Sequence, residues 1–301
     1  MSRPESLLKR RQMLQKLSTA LALAPLLPMV GCGGGGSGNG SSDSIASTAA
    51  SDDTAESTDS GAETGSATEA VTDNGTDWLN GGTAAMEADF PPADPFVSGL
   101  GNSCTLTEEY TLGPCYFHAD EYEQDISSGE PGVPMALVLK LVDQSCEPIA
   151  GADIEIWFVN WEGIYSGDTS GSSDTRSFNS SYCTGNDPSA LASRWFRGVQ
   201  TTDDNGLVSF KCCFPGWYRG RTTHIHVKVV RNNNAALVTQ FCFDDSTSND
   251  IYLNHPDYTG SAKDTSNSRD GVFGSDFADY QFEIERQWDA SMLAYKAIQI
   301  I

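Results

Sequence analysis

Six short apolar runs, separated by clusters of Gly, Asn, Asp and Pro, most constrain what the second part of this chain can become. They are "MALVLKLV" (Met135–Val142), "ADIEIWFV" (Ala152–Val159), "GLVSFKCC" (Gly206–Cys213), "HIHVKVV" (His224–Val230), "LVTQFCF" (Leu237–Phe243) and "SMLAYKAIQII" (Ser291–Ile301). Runs of this length, rich in branched and aromatic residues and bounded by turn formers, predict strands. "DDNG" (Asp203–Gly206) predicts a hairpin turn. No long amphipathic helix competes with them. Short strands joined by long irregular loops predict an all-β domain, a β-sandwich or barrel, from about Pro95 to Ile301.

The first part of the chain has another physics. Met1 to Gly31 reads as an export signal, with a basic opening (Lys9, Arg10, Arg11, Lys16) and an apolar run from Leu17 to Gly31. That run falls short of the roughly 20 apolar residues that span a bilayer. It ends in "MVGC", which resembles a bacterial lipobox with Cys32 as the residue to be lipidated, and "KRRQMLQ" resembles a twin-arginine signal. Residues 32–94 are Gly, Ser, Thr, Ala and acids, too poor in apolar surface to offset the entropy of ordering, and predict a disordered spacer. The expectation is a domain tethered by a lipid at Cys32 to a bacterial membrane, in the periplasm or outside the cell.

The formal net charge is −23, and removing residues 1–31 takes away five basic residues and one acid. A nucleic-acid partner is excluded on electrostatic grounds. Beyond Cys32 there are seven cysteines: Cys104, Cys115, Cys146, Cys183, Cys212, Cys213 and Cys242. Export predicts disulfides, and an odd number leaves at least one thiol free or paired between chains. No CxxC spacing points to zinc. Cys212 and Cys213 would face opposite sides of a strand and so not pair with each other.

Only four histidines occur, and two of them, His224 and His226, sit one residue apart in a predicted strand. Side chains alternate along a strand, so both project to one face while Ile225, Val227 and Val229 face the other. Two imidazoles on one face can reach one ion. Just upstream, "PGWYRGR" supplies Tyr218 and Arg221, and Tyr165 follows the strand "ADIEIWFV". A phenol stays protonated to about pH 10. A hard, highly charged ion such as Fe(III) can depress that value and bind phenolate, whereas softer or divalent ions favour other ligands. Each residue also has a plainer reading: a polar strand face for the histidines, loop aromatics for the tyrosines, a surface ion pair for Arg221. His118 and His255 have no matching partners and read as loop residues.

Several stretches, in order, carry a resemblance: "TLGPCYF" (Thr111–Phe117), the segment from Gln124 to Gly167, the segment from Arg194 to Val229, "TQFCF" (Thr239–Phe243) and "NSRDGVFG" (Asn267–Gly274). From about Leu106 to Ile301 the chain resembles the intradiol ring-cleavage dioxygenases of catechol and protocatechuate type, especially their exported relatives. The resemblance implies a β-sandwich core holding one non-haem Fe(III) between Tyr165, Tyr218, His224 and His226. It implies Arg221 and Gln240 as active-site groups, Tyr218 as the phenol that leaves the metal, and a catecholic substrate cleaved with O2 to a muconate-type diacid. It also implies that the chain can pair as a homodimer. Departures from the family are Phe158 where many members have His, Gln124 where an arginine is common, Cys115 within "GPCYF", and a short interval between Tyr218 and His224. The other functional class open to the chain is a metal- or aromatic-binding lipoprotein that keeps the fold without turnover.

Overall fold

Alternation of apolar residues builds two sheets whose inner faces meet. A computed structural model of the chain describes residues 77–100, 105–167 and 178–301. The signal, Cys32, most of the spacer and Cys104 lie outside the described residues. The first sheet has the order β4-β1-β8-β7 and the second β3-β2-β5-β6. The strands are β1 (Pro134–Val142), β2 (Asp153–Trp157), β3 (Arg197–Thr201), β4 (Leu207–Cys213), β5 (His224–Arg231), β6 (Asn234–Cys242), β7 (Glu283–Arg286) and β8 (Met292–Gln299). All neighbours are antiparallel except β1 and β8, which run parallel with Met135 beside Met292. The all-β sandwich is therefore as expected.

Met135, Leu137, Leu139 and Leu141 of β1, Ile154 and Ile156 of β2, and Ile225, Val227 and Val229 of β5 form one buried core between the sheets. Full burial of each such side chain stabilises by about 1.5–3 kcal/mol. A one-residue slip of β5 would turn this set outward, so the core sets the register and, with it, the face on which His224 and His226 emerge.

Two strands lack a clear sequence signal. β3, "RGVQT", carries one apolar side chain besides its glycine, and β7, "EIER", is a short charged edge strand. Short charged edges are how sheets avoid pairing with other chains. "DDNG" does form a tight turn, with the Asp203 carboxylate accepting from the backbone N–H of Asn205 and Leu207 at 2.9 and 2.8 Å. Its arms do not form a hairpin: β3 belongs to the second sheet and β4 to the first. The turn residues specify the local reversal, while core packing decides which sheet each arm joins.

Residues 77–94, expected as the end of the disordered spacer, are instead ordered on the sandwich, because unlike the residues before them they carry Trp78, Met86 and Phe90, which pack on its apolar clusters. Leu79 N–H donates to Ala290 O at 2.8 Å, Gly82 N–H to Gly132 O at 3.1 Å, and Glu87 and Ala88 N–H both donate to the Asp289 carboxylate. Phe96 then seals an apolar cluster of Ala136, Val138, Leu293 and Ala297 on the outside of the first sheet. Three short helices complete the domain: α1 (Ser180–Thr184), α2 (Pro188–Leu191) and α3 (Asp245–Asn254), capped by Asn179, Asp187 and Asp244. Among the described residues no helix is long and apolar enough to cross a membrane. Cys115 and Cys183 form a disulfide, and Cys146 is also disulfide-bonded. Cys212, Cys213 and Cys242 are free and buried, and burial pushes their thiols up, to about 12 for Cys242.

Candidate metal centre

The outer face of the second sheet carries His224 and His226 on β5, Trp157 on β2 and Gln240 on β6, with His226 opposite both Trp157 and Gln240 in register. Trp157 stacks on the His226 ring, centroids 4.8 Å apart and planes within 12°. The stack fixes the plane of the His226 ring.

Two loops bring the tyrosines to this face, and two glycines let the loops touch backbone to backbone. Gly163, with φ of +81°, lies so close to Trp217 that a Cβ would sit 2.0 Å from its carbonyl oxygen. A Cβ on Gly216 would meet the Asn160 carbonyl at 2.3 Å, and Gly216 N–H donates to that oxygen at 3.1 Å. Any larger residue would push the loops apart. Tyr165 is tied down further by its N–H, which donates to Cys183 O at 2.9 Å, and Cys183 is bonded to Cys115.

The result is a chain of four donors. Tyr165 Oη lies 3.1 Å from His226 Nε2 and 3.5 Å from Tyr218 Oη, and Tyr218 Oη lies 3.2 Å from His224 Nε2. His224 Nδ1–H donates to the Thr222 carbonyl at 2.6 Å. A carbonyl only accepts, so that tautomer leaves the Nε2 lone pair facing the tyrosines. Burial, then the Arg221 charge, pushes His224 down to about 3. Burial and the His224 and Arg221 charges hold His226 far below the ordinary histidine range, and its Nδ1 makes no well-formed hydrogen bond although the Thr111 backbone lies on that side. Both imidazoles are therefore neutral at pH 7. Burial raises both phenols, and Arg221 opposes the rise in each. Tyr165 is buried and Tyr218 half-buried.

Beside the donors lies a fixed cation. Arg221 Nε donates to Asp270 Oδ2 at 2.8 Å and Nη2 to Gln240 Oε1 at 2.6 Å, while Gln240 Nε2 donates to Thr111 O at 3.1 Å. Asp270 also accepts from Thr222 N–H at 2.8 Å. Burial pushes the Asp270 carboxyl up, but Arg221 and the hydrogen bonds outweigh it and hold the group below the usual range. Behind Thr222, Lys263 reaches its hydroxyl at 2.5 Å and the Asp245 carboxylate at 2.5 Å, which braces the entry to β5.

All six residues expected from the sequence thus meet: Tyr165, Tyr218, His224, His226, Arg221 and Gln240. Two more were hidden. Asp270 lies in the "NSRDGVFG" stretch, but nothing in its spacing ties it to Arg221. Arg197, in "RWFRG", is buried with its guanidinium 5.9 Å from the Tyr165 ring and donates to Ser166 O and Cys115 O at 2.8 Å each. His118 and His255 sit in loops, His118 near Asp120 and Glu155 and His255 with Nε2 on the Leu79 carbonyl. Phe158 faces the core, stacked on Phe196 at 4.8 Å, so that departure from the family does not touch the site.

A family profile described as dioxygenase matches residues 111–287, well over half of the chain. The chain belongs to the intradiol ring-cleavage dioxygenase family. An intradiol ring-cleavage dioxygenase from Tetranychus urticae is 32% identical, with a TM-score of 0.56 over 65% of this chain and 95% of that one. A second solved dioxygenase is 33% identical, with a TM-score of 0.56 over 65% and 94%. The 3-chlorocatechol 1,2-dioxygenase of Rhodococcus opacus 1CP is 16% identical, with a TM-score of 0.44 over 64% and 71%. No curated protein matches the chain. Membership places the chain among dioxygenases, which are oxidoreductases.

The donor set of this chain fits one hard metal ion. Among the described residues no group of three or more His, Cys, Asp and Glu could hold a metal, so any ion here must recruit the phenols. Phenolate suits a hard trivalent ion rather than a soft divalent one.

Proposed function

We propose that the protein is an exported, Fe(III)-dependent intradiol dioxygenase that cleaves catecholic substrates between their hydroxyl-bearing carbons. The observation that supports this most is the four-donor chain, two neutral imidazoles and two phenols linked at 3.1, 3.5 and 3.2 Å. Tyr165, Tyr218, His224 and His226 would hold the iron. When bound, Fe(III) favours phenolate and catecholate oxygens and draws electron density from a bound ring, making it reactive toward O2.

The chain's own residues do the rest. Tyr218 is the less buried phenol, and as the phenolate that Fe(III) favours its Oη would be the base that takes a substrate hydroxyl proton. Tyr165, buried and tied to Cys183, keeps its place. Arg221, held by Asp270 and Gln240, sets a positive charge where negative charge spreads over the substrate ring, and its partners keep it from moving as that charge forms. The signal and Cys32 support export and lipid anchoring.

The test is elemental iron together with oxygen uptake on catechol, protocatechuate and hydroxyquinol, with product masses. One iron per chain, a visible phenolate charge-transfer band and diacid products are expected. Iron with the band but no uptake on any catechol would make the protein a binding lipoprotein. A colourless, iron-free full-length protein would overturn the metal assignment. Release from membranes by Cys32→Ser tests the anchor.

A further inference from the structure

Two segments that border the metal centre each expose one large apolar side chain. In the first, Thr111 O accepts from Gln240 Nε2 at 3.1 Å, and a Cβ on Gly113 would lie 3.4 Å from His226 Cε1. Leu112, between these two contacts, is 36% exposed. The second segment is α1. There Tyr182 stands edge-on to the Tyr218 ring, centroids 6.2 Å apart and planes at 85°, and is 56% exposed. The Cys115–Cys183 disulfide holds the two segments side by side, and Asn179 N–H donates across to Pro114 O at 3.1 Å.

Scattered apolar side chains on a surface are ordinary. These two differ in where they stand and how firmly. Tyr182 N–H donates to the Asn179 side chain at 3.1 Å, and the next residue is the bridged Cys183. Its neighbour Tyr218 is the half-buried phenol of the site. An edge contact leaves most of the Tyr182 ring open to a second aromatic group. A ring already held in place stacks on a ligand at little entropic cost.

The donor chain also sets which part of a substrate reaches these side chains. A catechol whose two oxygens face Tyr165, Tyr218, His224 and His226 carries its carbons 4 and 5 on the far side. A substituent at carbon 4 therefore points away from the donors. Arg221 commits Nε to Asp270 and Nη2 to Gln240, so a carboxylate substituent gains little from it. An uncharged aryl group gains apolar and ring contacts instead.

We propose that Leu112 and Tyr182 form an apolar rim that selects catechols bearing an aryl group at carbon 4 over catechol itself. The proposal rests on the dioxygenase reading and names the substrate class of that site. Both residues set specificity, and neither touches the reacting atoms.

The probes are 4-phenylcatechol, catechol and protocatechuate, given to full-length, iron-loaded protein. By oxygen uptake, kcat/KM for 4-phenylcatechol should exceed that for catechol by about tenfold or more, and protocatechuate should show no such gain. Tyr182→Ala should cut the 4-phenylcatechol-to-catechol ratio by about fivefold or more, mainly through KM, and Tyr182→Phe should keep it. Leu112→Ser should lower the ratio less. Tyr122→Ala, which removes a tyrosine of similar exposure outside these segments, should leave it unchanged. Each ratio is taken on one protein, so general damage cancels. Calorimetry without O2 separates the rim from the chemistry: 4-phenylcatechol should bind more tightly than catechol, and Tyr182→Ala should remove the margin. That binding pattern with no uptake on any catechol would fail the dioxygenase reading and keep the rim. Uptake with no preference for 4-phenylcatechol, a ratio indifferent to Tyr182→Ala, or a preference for protocatechuate would each overturn the rim and keep the dioxygenase reading.

Discussion

On the outside of the first sheet, Ala136, Val138, Leu293 and Ala297 lie under Phe96 and the chain that leads to it. On the outside of the second sheet, His224, His226, Trp157 and Gln240 lie under Tyr165, Tyr218 and the Cys115–Cys183 disulfide. Both faces arise from strand alternation, and both are covered by irregular chain. The first cover excludes water from an apolar surface and asks only for area. The second must place four donors and a cation to within a fraction of an ångström, so it is tied by a disulfide, close glycine contacts and a carboxylate-anchored arginine. Damage to the first face should therefore cost stability and spare chemistry, and damage to the second should do the reverse.

The largest effect expected is on the second face. His226→Ala should lower iron retention and oxygen uptake by more than ~100-fold, since even outer partners of metal ligands cost about 10–100-fold. The fold, read by circular dichroism, should persist. Next is the first face: Phe96→Ala should cost about 3 kcal/mol in denaturant unfolding, with iron per folded chain and the visible band unchanged. A band shift there would break the separation of the two faces.

Asp270→Asn probes the support of the arginine. Oxygen uptake should fall about 10-fold or more with iron retained, as expected when a charge is left in place but loosely aimed. The substitution carries a pH signature too. Asp270 is held below the ordinary carboxyl value, so its contribution to stability is complete above the unfolded value near ~4 and is lost as pH falls through the folded value. The gap in unfolding free energy between wild type and variant should narrow below about pH 4; a gap constant with pH would deny the Arg221 pairing. The smallest effect belongs to Lys140→Met, which removes the 3.4 Å contact with Asp94 at the margin of the first face. A partly exposed pair of this kind contributes about 1 kcal/mol or less, and neither iron nor activity should change.

Six strands could be read directly from apolar runs, and all six occur, with ends shifted by a few residues. β7 could not, because a short edge strand that resists pairing carries charge, and β3 could not, because its buried Arg197 is held by the Ser166 and Cys115 carbonyls rather than by apolar contact. The sheet change at Asp203–Gly206 was hidden for a related reason: a turn sequence encodes a reversal, not a partner. The end of the spacer was misplaced for another reason: Trp78, Met86 and Phe90 are too widely spaced to form an apolar run, yet each packs on the sandwich.

The sequence by itself determined the side of β5 on which His224 and His226 stand, because a period of two admits one core face and Ile225, Val227 and Val229 occupy it. It also held Tyr165, Tyr218, Arg221 and Gln240 in an order that matches a known family. Only the tertiary structure decided that Asp270 holds Arg221 and that Arg197 stands beside Tyr165, partners 49 residues apart in the first case. Those relations depend on which loops close over which face, and closure is set by the packing of the whole sandwich rather than by any local pattern.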